Sequence, residues 1–247
     1  MQLKSTLNKN YLTEYDLILS NKKKTTKKYT DYSKFIINKP WGNEFLIYQN
    51  KNISLWLLNL IGKSSTSLHS HKHKDTILIP INRKVRINLI EKLFYAKKKE
   101  IVLLPKKKFH QSYNFNKEIL NLLEIETPNI KDDIIRHHDY YGRTENNFSF
   151  ENKKNKIKKN KNLVNFKYKK KRNYFLQKAI LIERFEKNQQ IIFNKKSLNI
   201  YKHFYILNGG LLNINETNKI NQFFFYQIDK CKKLKLICKK ETDILFI

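Results

Sequence analysis

Arginine, glycine, proline and cysteine are all scarce in this chain. Only six of its 51 basic residues are arginine, and 247 residues include five glycines, four prolines and two cysteines. Cys231 and Cys238 fit no metal or redox motif and imply no disulfide framework. No apolar run approaches the roughly 18 residues that cross a bilayer, so no membrane span is expected. Met1-Gln2-Leu3-Lys4-Ser5-Thr6 lacks an uninterrupted apolar stretch, so no signal peptide is expected and a cytoplasmic location is the expectation. The scarcity of arginine also bears on the net charge of +30. Such a field ordinarily suggests nucleic acid or an anionic membrane. Arginine is the usual reader of bases and phosphates, whereas lysine, asparagine and isoleucine crowd this chain, as AT-biased coding would write. Most of the charge is therefore read as solvated surface, and nucleic acid is a disfavoured partner.

The few special backbone residues are not scattered. Gly42 lies in Lys39-Pro40-Trp41-Gly42, Gly62 precedes a histidine run, Gly142 lies in Tyr141-Gly142-Arg143, and Gly209-Gly210 follow Tyr205-Ile206-Leu207. Unusual backbone geometry makes such residues hard to replace. The chain is 40% hydrophobic and 13% aromatic, enough for a real core.

Residues 1–33 read as a polar, basic arm with a short helix over 11–19, and structure is expected to begin near Phe35. Apolar runs of strand length follow at 53–60, 76–81, 85–90, 101–104 and 119–125. Several alternate, as in Val85-Arg86-Ile87-Asn88-Leu89, which suits half-buried antiparallel strands. Many short strands point to an all-β sandwich or barrel over residues 34–150. Residues 151–173 form a Lys/Asn-rich linker, read as a solvated spacer. Strand-like runs resume over 174–247, with Gly209-Gly210 read as a tight hairpin turn. This second β-domain echoes the first without its clustered histidines.

The chemical signal is Ser67-Leu68-His69-Ser70-His71-Lys72-His73-Lys74-Asp75, with His110 further on after Ile101-Val102-Leu103-Leu104-Pro105. An extended backbone would turn positions 69, 71, 73 and 75 to one face, where imidazoles and a carboxylate suit a divalent metal. The competing reading is a solvated basic turn.

These segments resemble the cupin superfamily, specifically the cupin domain of type II mannose-6-phosphate isomerases and related sugar-phosphate cupins. Lys39-Pro40-Trp41-Gly42-Asn43-Glu44 is similar to that family's opening segment, and His69, His71 and Asp75 to its first metal motif. Pro105-Lys106-Lys107-Lys108-Phe109-His110 resembles the second motif. Asp132-Asp133-Ile134-Ile135-Arg136 with Asp139-Tyr140-Tyr141-Gly142-Arg143 is similar to the closing segment, the most specific match. Asp75 stands where Glu is usual, and the glycine between Pro105 and His110 is absent. The resemblance implies a double-stranded β-helix (jelly-roll) barrel, and a bicupin whose second barrel is degenerate.

It further implies one divalent ion (Zn, Fe, Mn, Co or Ni) on His69, His71, Asp75 and His110, and isomerisation of a sugar phosphate in nucleotide-sugar or surface-polysaccharide metabolism. Glu124 or Glu126 would be the base, one of the two pointing inward, with Lys74 also among the catalytic groups. Lys74, Arg136 or Arg143 would hold the phosphate, although Arg136 and Arg143 could equally pair with Asp132, Asp133 or Asp139. Trp41 would line the substrate site or simply pack in the core. The alternatives are a cupin that binds a sugar phosphate or nucleotide sugar without turning it over, and a metal-free epimerase. A homodimer is the default by analogy.

Overall fold

Strand-length runs rich in Ile, Leu, Val, Phe and Tyr fold as strands, because branched and aromatic side chains pack well on a pleated surface. A computed structural model describes residues 7–9, 11–22, 32–142, 171–193, 200–201, 203–214, 219–220, 225–231 and 234–247. The chain divides into two compact units, residues 8–163 and residues 1–7 with 164–247. No helix among the described residues is long and apolar enough to cross a membrane.

The first unit contains strands β1 (Leu7–Lys9), β2 (Ile36–Lys39), β3 (Gly42–Gln49), β4 (Ser54–Leu60), β5 (Leu68–Ser70) and β6 (Asp75–Pro80), then β7 (Val85–Asn88), β8 (Leu93–Ala96), β9 (Ile101–Leu104), β10 (Gln111–Tyr113), β11 (Leu120–Thr127) and β12 (Ile135–His138). Seven pair in the order β1-β9-β6-β11-β4-β3-β2, three as β10-β7-β8, and β12 pairs with β5. β2-β3-β4 and β7-β8 pair in sequence order, while β11 between β4 and β6, β9 beside β6 and β12 beside β5 bring distant strands together, as in a jelly-roll barrel. Trp41, Leu46, Trp56, Leu58, Leu78 and Leu122 pack with Val85, Ile87 and Ala96 in one core. Val85–Asn88 alternates buried and half-buried as its sequence suggests. The central strands β4, β6 and β11 are buried on both faces, which the alternation rule did not anticipate.

Structure begins well before Phe35. Helix α1 (Glu14–Lys22) lies three residues further along the chain than the reading over 11–19, and it buries Asp16 and Ser20. Thr13 explains its start: the Thr13 hydroxyl accepts from Asp16 N, and the Asp16 carboxylate accepts from Thr13 N at 3.0 Å, a reciprocal cap.

The second unit holds β13 (Arg172–Phe175), β14 (Ile180–Phe185), β15 (Gln190–Ile191), β16 (His203–Asn208), β17 (Leu211–Asn213), β18 (Lys219–Ile220), β19 (Phe225–Gln227), α2 (Ile228–Cys231), β20 (Leu236–Cys238) and β21 (Thr242–Phe246). They form two antiparallel sheets, β13-β14-β21-β16-β19 and β15-β20-β17-β18. Phe185, Phe193, Tyr201, Phe204, Tyr226 and Phe246 fill the space between them. The hairpin expected at Gly209-Gly210 is not one: β16 and β17 belong to different sheets. The glycine carries the chain from one sheet to the other at a φ of +92°, and a Cβ on Gly209 would sit 2.4 Å from Thr242 Oγ1. The linker read over 151–173 falls almost wholly outside the described residues, and its last two positions belong to β13.

Candidate metal centre

His69 on β5 and His110 just before β10 form an isolated antiparallel bridge. His69 N donates to His110 O at 3.0 Å and His110 N to His69 O at 2.8 Å. Directly opposed residues point their side chains to the same face, so the two rings meet at 4.5 Å between centroids. His71, two residues along from His69, returns to that face, 5.1 Å from His69 and 5.6 Å from His110. One ring nitrogen of each lies within 4.8 Å of the others.

Hydrogen bonding assigns the tautomers. Each Nδ1 lies against a backbone carbonyl, at 2.8 Å from Ser67 O, 2.5 Å from Asp133 O and 3.0 Å from Lys108 O for His69, His71 and His110 respectively. A carbonyl only accepts, so each Nδ1 carries the proton and each Nε2 presents a lone pair. The Nε2 atoms of His71 and His110 are buried with no hydrogen-bond partner among the described residues. Burial, reinforced by neighbouring positive charge, holds His69 and His71 well below the usual imidazole range and brings His110 down to about 4. Three neutral, oriented imidazoles, two of them with buried and unpaired Nε2 atoms, are a donor set that fits a divalent ion.

Asp75 does not join this group. The parity argument holds only while the backbone stays extended, and the chain turns immediately after His71. Asp133 makes that turn: its carboxylate accepts from Lys72 N at 3.0 Å, His73 N at 2.6 Å and Lys74 N at 3.2 Å. The turn leaves His73 exposed and directs the Asp75 carboxylate to Lys106 N at 2.8 Å. Asp133, one of the candidate arginine partners, therefore caps the turn and, through its carbonyl, also orients His71.

Eight of the ten candidate residues line one cavity of about 60 Å³ that opens to solvent. Beside the three histidines stand Trp41, Lys74, Glu124, Glu126 and Arg136. Arg143 lies outside the described residues. Trp41 serves both of its readings, packing in the core while lining the cavity. The expectation that only one of Glu124 and Glu126 points inward is corrected, because residues two apart on β11 share a face. Lys74 Nζ meets Glu126 Oε1 at 2.5 Å, both side chains almost fully enclosed, and Ser54 Oγ donates to the other oxygen. Burial and the Glu126 charge push the Glu124 carboxyl up to about 7, against the pull of Lys131 and Lys74.

The sequence reading missed Glu44 and Lys131. Lys131 Nζ lies 3.0 Å from Glu44 and 3.7 Å from the centre of the Trp56 ring. Burial would raise the Glu44 carboxyl, but Lys131 and Lys39 bring it down to about 2. Burial opposes the Lys131 charge, yet Glu44, Glu126 and Glu124 keep its ammonium above the usual lysine range.

An antiparallel barrel of this topology with an inward imidazole cluster is similar to the cupin fold. Residues 24–139 match the family described as "Mannose-6-phosphate isomerase C-terminal", so the first unit is similar to the cupin domain of those enzymes. No curated protein matches the chain. Among solved structures, a double-stranded β-helix protein from Klebsiella pneumoniae is 10% identical, covering 39% of this chain and 84% of that one at a TM-score of 0.36. An oxalate decarboxylase from Lactobacillus farciminis is 15% identical over 42% and 33%, at 0.38. A cupin-superfamily sugar phosphate isomerase from Silicibacter pomeroyi is 14% identical over 31% and 50%, at 0.30.

Proposed function

We propose that the first unit is a metal-dependent sugar-phosphate isomerase of the mannose-6-phosphate type. The observation that carries this reading is one cavity holding three imidazole Nε2 donors together with a carboxyl poised near neutrality, Glu124. His69, His71 and His110 would hold the ion, which supplies Lewis-acid polarisation of the sugar carbonyl when bound. Glu124 as carboxylate takes the proton from the carbon beside that carbonyl and returns it to the former carbonyl carbon, while the hydroxyl proton passes from the C2 oxygen to the C1 oxygen. Four basic side chains (Lys39, Lys74, Lys131, Arg136) and three acidic ones (Glu44, Glu124, Glu126) line the cavity. With Glu124 partly protonated and the imidazoles neutral, the surplus is positive and suits a phosphate.

A second reading, binding without turnover, is favoured by the buried Lys74–Glu126 pair, in which two candidate catalytic groups neutralise one another. The reading also includes a homodimer and a cytoplasmic location, to be checked by sedimentation and fractionation. The deciding experiment is elemental analysis of untagged protein beside a His71→Ala/His110→Ala variant, then an assay interconverting mannose 6-phosphate and fructose 6-phosphate. About one equivalent of metal, lost in the variant, with metal-dependent turnover supports the isomerase. Metal with saturable binding but no turnover supports the second reading, and no metal after reconstitution overturns the isomerase and leaves the barrel as a binding module.

A further inference from the structure

The segment that carries His110 is held by a residue from the other end of the unit. Asp16 on α1 reaches Lys108 and Phe109, 92 and 93 positions along the chain. Lys108 Nζ donates to Asp16 Oδ2 at 2.6 Å and Phe109 N to Asp16 Oδ1 at 2.8 Å. The Asp16 and Lys108 side chains are completely enclosed. Lys108 Nζ has a second carboxylate, Glu91 Oε1, at 2.7 Å. The Lys108 carbonyl in turn accepts the His110 Nδ1 proton at 3.0 Å, the bond that aims Nε2 into the imidazole cluster. One continuous set of contacts thus runs from the capped end of α1 through Lys108 and Phe109 to His110.

Stability alone is a poor reason for such an arrangement. Buried ion pairs cost desolvation that their attraction only partly offsets, and well-packed apolar replacements are often as stable. What the pair does supply is register: it fixes the backbone between Lys108 and Phe109 relative to the first turn of α1. Outer partners that orient a ligating histidine commonly control metal affinity. Helix α1 lies outside residues 24–139, the segment that matches the isomerase domain.

We propose that Asp16 and Lys108 are positioning residues for the metal centre, so that docking of α1 sets the affinity of the His69–His71–His110 group for a divalent cation. This rests on the metal reading above. Because coupling between two sites is reciprocal, metal binding must also tighten α1 onto the barrel.

The test titrates full-length apo protein with Co²⁺, reading visible absorption and competition against a chelator, in wild type, Asp16→Asn and Asp16→Leu/Lys108→Met. The double variant replaces the buried pair with apolar side chains of similar size and removes the acceptor of Phe109 N–H. The expected result in the variants that remain folded is a lowered apo melting temperature, Co²⁺ affinity lower by about tenfold or more, and an altered Co²⁺ absorption band. Affinity within twofold of wild type and an unchanged band in either folded variant overturns the proposal. Amide exchange of the wild-type chain decides the matter even if both variants misfold. Co²⁺ should slow exchange at Phe109 and along α1 together, by about tenfold more than along β3. Slowing at residues 108–110 with α1 unchanged overturns the proposal. Failure of the wild type to take up Co²⁺ sinks the metal reading, and the proposal with it, and so is distinct from uptake that is insensitive to residue 16.

Discussion

Glu124 and Glu126 share one face of β11, yet different neighbours reach them. Lys74 Nζ and Ser54 Oγ occupy the two oxygens of Glu126. Burial and the charge of Glu126 leave Glu124 close to half-protonated near neutrality. As the base must be the carboxylate, kcat/KM should rise with pH through about 7. Glu124→Gln should remove that limb and lower kcat by about 10²–10⁴-fold, as a pH–rate series on both proteins would show. Glu44 makes the opposite contribution, to stability. Its folded carboxyl lies at about 2 against an ordinary 4.5, so the stabilisation is complete above 4.5 and is lost as pH falls toward 2. Glu44→Gln should remove on the order of 3 kcal/mol at neutral pH. The deficit should narrow in acid, as urea melts across that pH range would measure.

At the scale of elements, the turn after β5 shows what sequence can and cannot convey. His69, His71 and His110 were legible because a period of two survives wherever the backbone is extended. Asp75 was misplaced because that period ends where three N–H groups converge on Asp133, some sixty residues away, and no local pattern announces such a turn. Glu44 was missed for a related reason: the Lys-Pro-Trp-Gly-Asn-Glu segment was recognisable, but Gly42–Gln49 was not read as a strand, so nothing placed the Glu44 side chain. Likewise, no pattern around residue 16 suggests a buried partner at Lys108, whose lysine looks like one more member of a solvated run. Asp133→Ala should leave three N–H groups at the turn without their acceptor. About 2–4 kcal/mol of stability should be lost, and Zn²⁺ or Co²⁺ affinity should fall about 10–100-fold, as chelator competition alongside chemical denaturation would reveal.

For the molecule as a whole, the two units have separate cores. Phe204 is fully enclosed in the second, stacked against Phe193 at 5.0 Å and Tyr226 at 5.2 Å. Phe204→Ala should destabilise that unit by about 3–5 kcal/mol. Metal stoichiometry should not change, and calorimetry together with elemental analysis on one preparation would separate these effects.

The placement of the tryptophans has an optical consequence. The chain has only two, Trp41 and Trp56, and both are buried in the first unit. One lines the cavity, and the other lies under the Lys131 ammonium that faces its acidic groups. Excitation of indole alone therefore reports on this cavity without any label. A paramagnetic ion entering the imidazole cluster should dim the emission, and an anion that draws Lys131 from the ring should shift its colour. Melting of the second unit should leave the indole signal unchanged and register only in tyrosine.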